Sequence, residues 1–131
     1  MKIDDAVSAL KSALLPDLRA ISARWPELRP EVFSHRHAGE LHVFGVTCDF
    51  DALAEEFKLL VLRVAICTFG SEAIKGEVLW FRSRADFGVA DGIVRTSGLD
   101  ARSVRDFTSK WPSLLQSLDA AVDRRLPASA R

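Results

Sequence analysis

The sequence predicts an α+β fold: a mainly antiparallel sheet of four to five strands, with N- and C-terminal helices packed on one of its faces. Three observations carry this. Apolar side chains recur at helical spacing near both ends of the chain. The middle is built from β-branched and aromatic runs. Glycine-containing turns separate those runs by links too short for crossover helices, which favours antiparallel pairing.

The first helix follows from Ile3, Val7, Leu10, Leu14, Leu18, Ile21 and Trp25, which recur every three or four residues and so share one face. Pro16 lies inside this pattern. Its ring removes a backbone donor and clashes with the preceding turn, so a kink or a break into two helices is expected near Leu15. Trp25-Pro26 ends the element, and 26–30 is a connector.

Segments 32–37 and 41–48 read as a β-hairpin around Ala38-Gly39-Glu40. Asp49 or Asp51 would cap a short helix over 51–58, with Glu55 and Glu56 near its positive end. The run 59–69 suits either a continuation of that helix or a strand buried on both faces, and its β-branched content favours the strand. A loop over 70–76 and a strand over 77–84 follow. Turn signals at Asp86-Phe87-Gly88 and Asp91-Gly92 then make 89–96 a bulged strand or the tight end of a hairpin.

The second helix runs from Asp100, its expected N-cap, to Leu126, with Val104, Phe107, Trp111, Leu114, Leu118 and Val122 on its apolar face. Pro112 lies inside it, and Arg124 and Arg125 suit its negative end. Residues 127–131 are expected to fray. Ser22 to Leu28 echoes Thr108 to Leu114. The match is too short for a repeat and suggests two helix-to-proline junctions, each plugged by a tryptophan.

At 131 residues the chain fits one domain spanning 1–131. Its net charge of zero argues against a protein whose work is neutralising phosphates, so nucleic acid is not an expected partner. No secretory signal opens the chain, and its longest apolar run is far short of the roughly 20 residues that cross a membrane. Cys48 and Cys67 both sit in apolar runs and read as reduced core residues of a cytoplasmic protein. The preference for arginine over lysine, with abundant alanine, fits a bacterial source. The element order is loosely similar to that of small bacterial partner proteins such as secretion chaperones and toxin-immunity proteins, a likeness of layout with no shared motif.

Three groups of residues are candidate sites. His35, His37 and His42 would form a metal site if the hairpin register faced His35 with His42, by pairing Arg36 with Leu41. Pairing Arg36 with Glu40, around a left-handed Gly39, would send His42 to the other face. Arg82 and Arg84 share a strand face with Trp80, and Arg95 across from them would complete an anion clamp. Trp25, Trp111, Leu115, Leu118 and Val122 belong to helix seams that a domain of this size does not hide completely, which makes them candidate partner contacts. Cys48 beside Asp49 and Asp51 is in an acidic setting, which is wrong for a nucleophile. The chain therefore reads as a protein-binding module without cofactor, docking another protein or a second copy of itself.

Overall fold

The computed structural model describes residues 3–37, 41–50, 56–67, 73–82 and 93–125. Helices α1 (Ile3–Arg24) and α2 (Val104–Arg125) flank five strands: β1 (Glu31–His37), β2 (Leu41–Asp49), β3 (Leu59–Cys67), β4 (Ala73–Phe81) and β5 (Ile93–Ala101). Each strand pairs antiparallel with its neighbour in sequence, so the sheet runs in the order β1-β2-β3-β4-β5 and ends in two edges, β1 and β5.

Both helices cover the same sheet face. From the sheet, Phe44, Val46, Cys48, Leu60, Leu62, Val64, Ile66, Ile74, Val78 and Trp80 point into this core. Leu10, Leu14 and Leu18 of α1 and Phe107, Trp111, Leu114, Leu118 and Val122 of α2 close over them. Gly76 is part of that fit. A Cβ there would stand 2.7 Å from Leu114 and 3.1 Å from Phe107, so the bare backbone lets α2 seat against β4. On the opposite face Leu59, Val61, Leu79 and Phe81 form a second buried cluster, with Phe33 packed against it.

The α+β class, the antiparallel sheet and the two helices on one face are as the sequence predicts. Segment 59–67 is a strand, the reading its β-branched content favours. Several details differ. Helix α1 continues through Pro16 without a break, and α2 continues through Pro112. Both prolines are exposed, so their rings stand on the solvent side. Leu14 and Leu18 are buried on either side of Pro16. Burial of a leucine contributes roughly 1.5–3 kcal/mol, so two of them match or exceed the roughly 3 kcal/mol that an interior proline costs. Consequently Trp111-Pro112 is no helix end, unlike Trp25-Pro26, where α1 stops and a 3-10 turn (Pro26–Leu28) follows. Arg29 leaves that turn in the left-handed region at φ 47°.

Strand β4 begins at Ala73, inside the segment expected to be a loop, because Ile74 and Gly76 pair with Ile66 and Val64. Strand β5 extends to Ala101 and takes up Asp100, the expected helix cap. Ser103 caps α2 instead: its hydroxyl accepts from the Asp106 N–H at 3.1 Å. The expected helix over 51–58 falls largely outside the described residues, as do the turns at 38–40, 86–88 and 91–92 and the tail 127–131. Among the described residues, no helix is long and apolar enough to cross a membrane. Cys48 is buried on the helix side, and burial pushes its thiol up to about 12, which makes it an inert core residue. Cys67 lies on the opposite face and at the other end of β3 from Leu60, the partner of Cys48, so the two cannot form a disulfide.

Candidate functional site

The helix seams are spent inside the molecule. Trp25 is buried at the end of α1, with the Arg24 guanidinium 4.5 Å above its ring. Trp111 is buried between α2 and the sheet, and its indole Nε1 donates to Asp17 of α1 at 2.8 Å. Leu118 and Val122 are fully enclosed, and only Leu115 keeps a partial exposure. Zero to one exposed side chain among these five is too little for a docking face. The two helices instead fill one shared core and are tied together by Arg24 and Asp119 at 3.0 Å.

The histidines are separated by the hairpin register. Arg36 pairs with His42, His35 with Val43 and His37 with Leu41, a register offset from both sequence expectations. His42 therefore shares the helix-side face with Ser34, and His35 points the other way. Among the described residues, no group of three or more potential metal-ligating side chains gathers.

His42 joins a polar strap between α1 and the hairpin. Lys11 donates to Ser34 Oγ at 2.7 Å, and that hydroxyl lies 2.8 Å from His42 Nε2. In this network the serine hydrogen goes to Nε2, which puts the imidazole proton on Nδ1, a buried atom without a hydrogen-bond partner. Arg36 pairs with Asp4 nearby. Burial first, then the charges of Lys11 and Arg36, hold the His42 pKa below its ordinary 6.5. The unfolded chain thus takes up this proton before the folded one does. The stability contribution is constant above about pH 6.5 and is lost progressively as pH falls below it toward the folded pKa. Unfolding free energies measured between pH 7.5 and 5 should decline less steeply for His42→Gln than for the parent. Parallel slopes would show that His42 is not responsible.

The arginines do not converge either. Arg82 leaves β4 beside Glu56 at 3.3 Å and lies over the Phe57 ring. Arg84 lies outside the described residues. Trp80 faces the helices, and the Arg125 guanidinium covers its ring at 4.2 Å. Arg95 is on the opposite face, where it and Arg63 flank one carboxylate. Arg63 Nε donates to Glu77 Oε1 at 3.0 Å, and the Arg95 guanidinium stands 2.5 Å from Oε2. Glu77 is 7% exposed, so this is a fixed ion cluster whose anion is already built in. Because Arg95 is largely exposed, Glu77→Gln should cost only about 1–2 kcal/mol in chemical denaturation. A loss below about 0.5 kcal/mol would mean that the cluster contributes only surface pairing.

A different feature stands out, along β5. This edge strand leaves Val94, Arg95, Thr96, Gly98 and Asp100 exposed, and Val94 at 45% is one of two large apolar side chains exposed among the described residues. A bulge against β4 falls between Val78 and Leu79, where Thr96 is the extra residue and its hydroxyl donates to the Val78 carbonyl at 3.0 Å. Two cavities lie on the helix side of β5. The first, about 190 Å³, is lined by Ser97, Gly98, Leu99, Lys110, Ser113, Leu114 and Ser117. The second, about 240 Å³, is lined by Thr96, Ser113, Gln116, Ser117, Ala120 and Arg124. Sequence reasoning missed this trough because it ended the strand before Gly98. The available signal was the small residues Ser113, Ser117 and Ala120, recurring at helical spacing beside the apolar seam of α2.

Fold and surface together define an open antiparallel meander, closed by helices on one face and leaving an edge strand in a trough. Comparison with known protein families, characterised proteins and solved structures gives no match for this chain.

Proposed function

We propose that the chain is a non-enzymatic protein-binding module of the small cytoplasmic partner type, acting as a chaperone, adaptor or immunity-like protein does. The observation that supports this best is the distribution of free surface. Both helices close over one sheet face, while β5 remains an uncovered edge with an exposed valine and a trough beside α2. Unpaired strand edges are sites at which other chains add, and folds that do not use them usually blunt them. The occupant is another protein or a second copy of this chain.

Size-exclusion chromatography with light scattering tests the reading, on the purified chain alone and after incubation with lysate of its source organism. The expected result is a defined complex: a dimer, or a co-eluting protein that re-forms the complex when both components are purified. A monomer that reconstitutes with nothing would overturn it.

A further inference from the structure

The two sheet edges are finished differently. At β1, α1 reaches over the strand: Lys11 bonds Ser34 and Asp4 pairs with Arg36, so charged side chains strap the helix-side of that edge. At β5, α2 stands back and leaves the two cavities, which share Ser113 and Ser117 and so form one trough. Lys110 closes one end by donating to the Asp100 carbonyl at 3.1 Å. Arg124 marks the other end. No carboxylate lines either cavity, so the lining carries positive charge only. Ser97 Oγ, on the strand side of the trough, is buried and makes no hydrogen bond.

We infer that this trough takes an extended, uncharged or acidic peptide segment of a partner protein, which adds to β5 as a sixth strand. The inference rests on the protein-binding reading above and specifies its occupant. From Lys110 to Arg124 the helix wall is about 21 Å long, which matches roughly six residues of extended chain. Main-chain pairing with β5 supplies affinity, and every second side chain of the segment enters the trough. Small aliphatic or hydroxyl side chains fit there, and a polar group at one position satisfies Ser97 Oγ. The bulge at Thr96 selects a short flexible segment over a second copy of β5, because two bulged edges would have to match about a two-fold axis.

The test is selection of short random peptides, displayed on phage, against the purified full-length chain. Selected peptides are then measured by calorimetry and by amide hydrogen exchange. The expected result is enrichment of uncharged or acidic sequences whose binding slows exchange of β5 amides. Ser117→Trp and Ser113→Arg, which fill the trough from the solvent-facing wall of α2, should abolish binding while leaving the melting temperature close to the parent value. Peptides that protect β1 amides, or that bind both variants as well as the parent, would overturn the inference. So would failure to enrich any peptide while chromatography shows a reconstituted complex, an outcome that leaves the protein-binding reading standing. Failure of both experiments removes both.

Discussion

Gly45→Ala should destabilise the protein by several kcal/mol, the largest effect of any single methyl in the chain. Gly45 sits inside β2, paired with Phe33 on one side and Arg63 on the other. A Cβ built on its backbone would stand 1.9 Å from the Leu62 carbonyl oxygen and 2.9 Å from the Arg63 Cα. These are main-chain atoms of β3, a strand paired on both sides, so no side-chain rotation relieves the collision. Overpacking a core normally costs about 1–3 kcal/mol because flexible side chains yield. Here β2 and β3 must separate, and the ladder bonds between them go with that movement. Urea denaturation of Gly45→Ala beside Gly98→Ala makes the comparison. At Gly98 the nearest atom to the added Cβ is 3.5 Å away, so that variant should stay close to the parent. A Gly45→Ala protein within about 1 kcal/mol of the parent would mean that β2 is free to shift.

Trp111→Ala should cost about 3–5 kcal/mol, the range for deleting a large buried aromatic side chain. The ring is 4% exposed and packs on Phe107 at a centroid distance of 5.9 Å. Its Nε1–H also donates to Asp17, so the residue joins α2 to both the sheet and α1. Trp111→Phe separates these contributions. It keeps an aromatic body and removes the bond to a carboxylate, an interaction of about 1.5–3 kcal/mol when well shielded. A phenylalanine variant as unstable as the alanine one would place the whole effect in the bond to Asp17. An alanine variant losing less than about 1.5 kcal/mol would show that Trp111 is not a core residue.

Local patterns made much of the architecture legible. The seven apolar positions from Ile3 to Trp25 and the matching set in α2 identify both helices, because a period near 3.6 is written into neighbouring residues. The run after Lys58 is a strand for a comparably local reason, its β-branched content. The misplacements occur where local preference met a distant partner. Asp100 is a good cap in isolation, but pairing with Lys75 keeps it in β5 and passes the cap to Ser103. Pro16 and Pro112 are helix breakers in isolation, yet the buried leucines around them hold both helices straight through.

The candidate sites were the least legible part, since each depends on which residues meet across strands. Three histidines within eight residues suggest a metal site, and a pairing of Arg36 with His42 is enough to send His42 to the other face. The two tryptophan-bearing seams suggest a partner surface, and whether they are free depends on how closely α1 and α2 seat on the sheet, which Gly76 helps set. The β5 trough belongs to neither the strand nor the helix alone. Composition and periodicity determine which elements form, since those signals act within a few residues. Register, facing and the space left between elements arise from non-local packing, and they decided that the free surface of this protein lies along β5 and not on its helices.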